Sequence, residues 1–510
     1  MLLGEILRRN AQDSGLMQKK AIIFGSSQLT YSDLNEQCNR IANGLKRLGV
    51  RKGDRIGVLS RNSDVYVTIY FALAKLGVIM VPVNFWYRSR EVRYTLQQSG
   101  VRGLIFHRCF AEVVAGVGRL PDLDWTLTIG DRSGNRLEEL AAASLADEPG
   151  VELDENDPHI ILYTSGTTGF PKGAVFSHKS HYLQALSLAD STGGHSDDVG
   201  LVVYPLFHTG GPDCLVLPHF LVGATLVILD GADPDAILSA VARHRATNIF
   251  CVPTVWRWII ARQRRRNYDV TSIQRCLGSS DTFPTALLED ILATFESDVY
   301  VTYGLTEAGC ILTVCRLRSG DLDKLGSVGR PMASVGLDVV DSSGNPVAPG
   351  EVGEVVAKTA SAMLEYWNMP EKTGEALKRG WLHTGDLGRM DDDGYLYLSG
   401  RAKDLIISGG ENVYPLEIER LLKENPKIRD AAVIGIPDRE WGESVMAAVV
   451  ASDGADLTPD EVSNYVRARL AGYKKPRWVE IVPELPVTTA TGKVQKAVLR
   501  ERYKDKYGTA

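Results

Sequence analysis

Residues 163–178 read YTSGTTGFPKGAVFSH, which puts three threonines, three glycines, a serine and a lysine into the ten positions after Tyr163. Glycines let backbone N–H groups come close to a ligand, the hydroxyls of Ser165, Thr167 and Thr168 add donors, and Lys172 adds charge, so the loop suits an anion with many oxygens. A polyphosphate answers that description. The segment fails the Walker A pattern, because Pro171 rather than glycine precedes Lys172 and Gly173 follows it. The apolar runs HIILY before the loop and GAVF after it read as two strands, which sets the loop at the tip of a hairpin or tight strand connection.

Outward from this loop the chain alternates strands and helices. Thr30 to Gly49 predicts a helix, with Leu34, Cys38, Ile41, Leu45 and Leu48 at helical spacing and Gly49 as its stop. Strand-like IGVLS, a helix from Asp64, strand-like VIMVPV, a polar helix from Ser89 and strand-like GLIF follow, and the alternation resumes after the loop. That order implies layered α/β architecture with partly parallel sheets. Between about 321 and 400 the texture changes to short strands with Gly, Asp and Asn turns, a β-rich subdomain. From about 404 a smaller α+β unit runs through LIIS, a helix begun by Pro415, AAVIGI, MAAVVA, a helix capped by Thr458 and Glu461, and WVEIV. The expected organisation is an α/β protein with a large N-terminal domain over 1–402 and a small α+β C-terminal domain over 403–510.

With 510 residues, two or more structural units are expected. A composition of 44% hydrophobic and 24% charged residues is ordinary for a soluble protein, and the net charge of -6 supplies no basic field for nucleic acid or an anionic membrane. The run RQRRR at 262–266 reads as a solvated helix end. Seven cysteines without a C-x-x-C pair disfavour a disulfide framework and a zinc site, and point to a reducing compartment. The apolar start of MLLGEILRRNAQDSG is too short for a signal peptide and suits one face of a helix. VYVTIYFALAKLGVIMVPV is broken by Lys75 and Gly77 and reads as a buried helix followed by a strand rather than a membrane span. The final YGTA carries no peroxisomal or lipidation signal, so the expected location is the cytoplasm.

Further polar stretches lie far apart in sequence and make sense around one nucleotide. GSSDTF at 278–283 offers a small-residue ledge, and YGLTE at 303–307 offers a ring and a carboxylate, together able to sandwich a base and hold a metal. HTGD at 383–386 sets Asp386 beside a glycine, where one carboxylate accepts bonds from both hydroxyls of a ribose. GRAKD at 400–404 falls on the domain junction, and TATGK at 489–493 puts Lys493 on a Thr/Gly loop near the end.

Taken in order, YTSGTTGFPKG, YPLFHTGG, YGLTE, HTGD, GRAKDLIISGGENVYPLEIE and PVTTATGKVQK resemble the adenylate-forming superfamily of acyl-CoA synthetases, luciferases and peptide-synthetase adenylation domains. The resemblance runs from TYSDLNEQCNRIANGLKRLGVRKGD to the end and is nearest to fatty-acyl and aryl-acid CoA ligases. It implies a ligase using ATP, Mg2+ and coenzyme A: a carboxylic acid attacks the α-phosphate, pyrophosphate leaves, and the thiol then displaces AMP from the acyl-adenylate. By motif match it implies ATP binding by Thr164, Ser165, Gly166, Thr167, Thr168, Gly169 and Lys172 at the β- and γ-phosphates. Glu307 would hold the metal and Thr306 the α-phosphate. Tyr303, next to Gly304, would stack on adenine over Gly278, Ser279 and Ser280, with Asp386 and Arg401 on the ribose.

Lys493 would bridge the carboxylate and the reacting phosphate. The family also swings its small domain between the half-reactions about the position of Lys403, which withdraws the lysine and brings Ser408, Gly409 and Gly410 to line a pantetheine tunnel. Amino-acid-activating relatives carry aspartate where His208 stands, so an α-amino acid is disfavoured; His208 reads as a flank of the acyl or thiol route, or as a satisfied core histidine. The apolar stretches LFHTGGPDCLVLPHFLVG and VPTVWRWII imply a hydrophobic carboxylic acid. An acyl carrier protein as acceptor and a luciferase-like oxidation share the same motifs. The presence of Lys493, Glu307 and Asp386 argues against a catalytically silent nucleotide binder. GGHSDD at 193–198 resembles a phosphopantetheine attachment motif but continues with two aspartates, so it reads as a loop before a strand. A homodimer is a habit of the family.

Overall fold

The runs flanking the glycine-rich loop form a hairpin in the computed structural model, which describes residues 1–130, 136–164, 171–279, 283–320, 323–488 and 494–508. Strand Pro158–Thr164 pairs antiparallel with Lys172–Ser177, Tyr163 opposite Gly173 and Thr164 opposite Lys172. The expected phosphate ligands Ser165, Gly166, Thr167, Thr168 and Gly169 lie outside the described residues, as do Ser280 and Lys493.

Pro158–Thr164 also joins a parallel array of Ile79–Pro82, Arg55–Leu59, Gly103–His107 and Trp125–Ile129. Glu365–Tyr366, from far down the chain, adds to the free edge of Lys172–Ser177 and completes a seven-stranded sheet. A second sheet of nine strands is parallel from Lys20–Phe24 through Thr225–Ile228, Val199–Val202, Asn248–Cys251 and Arg275–Gly278 to Asp298–Tyr303, with antiparallel strands at both edges.

Which faces are apolar decides the layering. Helix Asp64–Leu76 is buried from Tyr66 to Leu76, as a helix apolar all round must be. It shares one core with Ile22 and Leu226 of the nine-stranded sheet and Ile56, Met80 and Ile160 of the seven-stranded one, so it forms a middle layer. Its Lys75 is accommodated by donating to Asn35, Asn39 and Glu148 at 2.6, 2.7 and 2.8 Å. Outside, Ile237, Trp256 and Ile291 cover the nine-stranded sheet, and Val92 and Leu96 cover the seven-stranded one. Helix Tyr31–Arg47 starts at a Thr30–Asp33 capping box and buries Leu34, Cys38, Ile41 and Leu45. Leu48, expected on that face, is 44% exposed because the helix has already ended at Arg47.

The β-rich unit is a five-stranded antiparallel sheet of Val335–Val340, Gly353–Thr359, Leu377–Lys378, Trp381–Met390 and Leu396–Arg401. A single 3₁₀ turn, Ala402–Asp404, follows. The next strand, Ile406–Ser408, belongs to a separate sheet with Glu411–Val413, Ile428–Asp438, Gly442–Ala451 and Trp478–Ile481. The chain thus changes sheet at 402–405, around Lys403. Helices Pro415–Lys423 and Pro459–Arg467 cover one face of the last sheet, and Lys496–Tyr507 covers the other.

Candidate active site

The hairpin, the carboxyl end of Asp298–Tyr303, the β-rich unit and the C-terminal domain meet around a cleft of about 550 Å³. Residues just beyond the carboxyl ends of parallel strands are where open α/β sheets bind ligands, and Gly304, Leu305, Thr306 and Glu307 occupy that place. Among the described residues, the lining carries five lysines and arginines (Lys172, Lys372, Lys378, Arg401, Lys403) against three glutamates (Glu307, Glu354, Glu375), a balance suited to a polyanion.

At one end, the Lys172 ammonium lies 4.0 Å from the centre of the Tyr366 ring, and the Tyr366 hydroxyl donates to Glu307 Oε1 at 2.6 Å. Thr164 Oγ1 reaches the same oxygen at 3.5 Å. Tyr366 arrives there because its strand pairs with the hairpin edge, opposite Ala174, and the Trp367 N–H donates to the Gly173 carbonyl at 2.7 Å. Burial lowers the Lys172 pKa against the opposing pull of Glu307, and burial beside that carboxylate raises the Tyr366 phenol, which therefore stays a donor. A two-residue strand has no periodicity to read, so Tyr366 was not singled out from sequence; its aromatic neighbour Trp367 in a polar stretch is the one signal. Among the described residues, no three His, Cys, Asp or Glu side chains converge as a metal cluster. A lone Glu307 near Thr164 and Lys172 nevertheless fits magnesium, which takes one or two carboxylates together with substrate phosphates and waters.

Asp386 lies just behind the cleft, 7% exposed. Its two oxygens accept from the Tyr303 hydroxyl at 2.8 Å and from Arg401 Nε at 3.0 Å, an arrangement fixed by the cross-strand pairing of Asp386 with Arg401. The Tyr303 ring is buried and is not on the cleft lining, and its hydroxyl orients Asp386. Gly278 likewise supports rather than lines the site, because a side chain there would run into the Phe283 ring. Ser279 and Gly304 remain on the lining, and a Cβ on Gly304 would run into the Cys310 carbonyl.

The opposite end is aromatic, with Tyr204, Phe207 and Phe250 on the lining and Phe207 set edge-on to Phe85 and Trp86 at 5.1 and 5.6 Å between ring centres. His208 faces the cleft here. Burial pushes its pKa down to about 4 against the opposing pull of Asp213, and Nδ1 accepts the Gly210 N–H at 3.2 Å, so the neutral ring carries its proton on Nε2. Beneath this loop, Thr209 donates to Asp213 at 2.6 Å, and Asp213 lies 2.9 Å from His181, both buried. Asp198 of GGHSDD is buried against Arg275, which makes that stretch a structural loop before Val199–Val202.

Lys403 lines the cleft, with its pKa lowered by burial against the pull of Asp404, and Asp404 accepts from Arg500 of the last helix at 2.8 Å. The C-terminal domain reaches the cleft through Thr488; just before it, Val487 pairs antiparallel with Val494, which brackets the segment holding Lys493. Ser408, Gly409 and Gly410 are not among the described residues lining the cleft. Gly409, at φ +61°, sits under Trp441, where a Cβ would come within 2.6 Å of the ring.

Residues 7–367 match the family model of AMP-binding enzymes, and residues 417–493 that of the AMP-binding enzyme C-terminal domain. A feruloyl-CoA synthase from an Amycolatopsis species is 38% identical, covering 95% of this chain and 96% of the relative. The fatty acid–[acyl-carrier-protein] ligase ScoC of Streptomyces coeruleorubidus is 34% identical, covering 95% and 93%. The crystal structure of the anthranilate CoA ligase AuaEII in complex with anthranoyl-AMP superposes with a TM-score of 0.91 at 30% identity, covering 99% of this chain and 98% of that one.

Proposed function

The chain belongs to the AMP-binding enzyme family, as an acid–thiol ligase of the CoA-synthetase type, and from that membership we propose that it activates a hydrophobic carboxylic acid as its acyl-adenylate before passing the acyl group to coenzyme A. In the first step a carboxylate oxygen bonds to the α-phosphorus of ATP, the bond to the β-phosphate oxygen breaks, and pyrophosphate leaves. In the second, the thiol sulfur bonds to the acyl carbon, AMP leaves with the carboxylate oxygen, and the thiol proton goes to solvent.

The observation that carries this reading is one cleft with a cationic end and an aromatic end. Joining two anions requires cancelled charge and fixed alignment. Lys172, Thr164 and the 165–169 loop would hold the outer phosphates, Thr306 the α-phosphate, and Asp386 with Arg401 the ribose. Magnesium, held by Glu307 as Tyr366 orients it, would neutralise phosphate charge. Lys493 would bridge the two reactants, supported by Thr488 reaching the cleft five positions earlier. The neutral His208 and the Phe207–Phe250 wall would receive the apolar part of the acid.

The sheet change at 402–405 supports a two-domain division at Lys403, with the tail domain turning there so that Ser408, Gly409 and Gly410 replace the 488–494 segment for thioester formation. The carrier-loading relative favours a second acceptor, the pantetheine thiol of an acyl carrier protein. No helix among the described residues is long and apolar enough to cross a membrane. With seven cysteines and no disulfide among them, a reducing cytoplasm is the compartment we propose.

A panel of aryl and fatty acids with ATP and coenzyme A, read by pyrophosphate release and thioester mass, tests the reading. Pyrophosphate release dependent on an apolar acid, with AMP and thioester formed in equal amount, supports it. Formation of ADP and phosphate overturns it, and transfer to a carrier protein but not to coenzyme A selects the second acceptor.

A further inference from the structure

Cys214 and Cys310 come from distant parts of the chain, yet their Sγ atoms are 3.0 Å apart. Cys214 sits on the helical turn Pro212–Val216 that follows FHTGG, and Cys310 on the tight turn that follows Glu307. Cys310, 7% exposed, lines the cleft. Cys214 lines a second, apolar pocket with room for a single water, about 20 Å³, and Phe250 lines both spaces. The two sulfurs with Phe250 therefore form the partition behind the aromatic end of the cleft. Cys310 is also one of the few residues other than glycine with positive φ, at +126°, a backbone state of the kind that clusters at functional positions.

We propose that Cys214 and Cys310 form a reversible disulfide in the wall of the cleft, with hydrogen peroxide as oxidant. Peroxide enters along the cleft to Cys310; its sulfur attacks the O–O bond, giving a sulfenic acid, and the departing hydroxide takes the thiol proton to become water. The Cys214 sulfur then attacks the Cys310 sulfur, the S–S bond forms, and the hydroxyl leaves with the Cys214 proton as a second water. Two thiols lose two electrons and the peroxide gains them; an external dithiol reverses the change. Cys310 lines the cleft and Cys214 does not, so Cys310 meets the oxidant first and Cys214 is the resolving partner. Bonding draws the two sulfurs about 1 Å closer, to about 2.05 Å, and ties together two turns adjacent to His208 and Glu307. Displacement on that scale costs a positioned site about 100-fold in rate.

The test is peroxide treatment of the full chain, alkylation, and digestion without reduction. Expected are a Cys214–Cys310 peptide pair that dithiothreitol separates, and acid-dependent pyrophosphate release that falls by about 10- to 100-fold and returns on reduction. Cys214→Ser loses the cross-link and the reversible part of the inhibition, each measured against its own untreated rate. The exposed Cys109 reports that oxidant reached the protein. Oxidised Cys109 without the cross-link overturns the proposal, and a cross-link that leaves the rate unchanged overturns its effect on the site. The cross-link is read by mass alone, so it stands or falls separately from the ligase reading, on which only the rate effect rests.

Discussion

Replacing Tyr366 with phenylalanine removes the hydroxyl that donates to Glu307 at 2.6 Å and keeps the ring that Lys172 rests on. A hydrogen bond to a charged group contributes about 1.5–3 kcal/mol, which is about 10- to 100-fold in an equilibrium or rate. Thr164, at 3.5 Å from the same oxygen, is too far to compensate. If Glu307 holds magnesium as proposed, losing its orienting donor loosens the ion and the phosphates, so kcat/KM for MgATP should fall by about 10- to 100-fold and half-saturation by free Mg2+ move upward. The acid KM, with the acid proposed to lie at the Phe207–Phe250 end, should stay where it was. The assay is steady-state pyrophosphate release with MgATP, free Mg2+ and acid varied in turn, alongside a thermal melt. Tyr366→Leu also removes the ring and so costs about 0.5–2 kcal/mol more through the lost cation–π contact. A folded Tyr366→Phe enzyme with unchanged MgATP and Mg2+ dependence refutes the assignment of Tyr366 as the residue that orients Glu307.

Lys403→Pro freezes the backbone at the change of sheet, so pyrophosphate release on adenylation continues while thioester formation stops; survival of both half-reactions rules out the hinge. Lys493→Ala lowers adenylation by about 100- to 1,000-fold but leaves thioester formation from supplied acyl-adenylate largely intact, and equal losses in both steps contradict its place. Arg275→Met leaves Asp198 buried without its cation and lowers stability by about 3–5 kcal/mol in a denaturant titration; an unchanged midpoint removes the structural account of the 193–198 loop. Burial holds His159 well below 6.5 and His178 near 4 in the folded state, so between those values the unfolded chain binds more protons. Stability should therefore fall as pH drops from 6.5 toward 4 and not depend on these groups above that window, and a thermal midpoint that rises on acidification would contradict it.

Much of this was legible before any coordinates. The apolar runs around the glycine-rich loop, the capping box at Thr458 and the stop of the Thr30 helix near Gly49 are local signals, and each leaves its mark within a few residues. What stayed hidden depends on long-range pairing. Tyr366 reaches Glu307 only because a two-residue strand docks on a hairpin almost two hundred positions earlier, and no window around it is periodic. Asp213 beneath Thr209 and the Cys214–Cys310 contact are hidden for the same reason. The hydrogen bond from Tyr303 to Asp386 and the packing of Phe283 over Gly278 are likewise set by strand geometry that a motif does not carry. Leu48 shows the opposite limit: its spacing was right, but the helix ends one residue too soon to bury it.

In the proposed reaction a carboxylate oxygen of the substrate bonds to the α-phosphorus of ATP. That bond is tested most directly by turnover of an acid labelled with oxygen-18 in both carboxyl oxygens, with mass measurement of every phosphate-containing product. One labelled oxygen in AMP, with pyrophosphate unlabelled, is the result the account predicts. Label in inorganic phosphate, or AMP free of label while thioester forms, contradicts it.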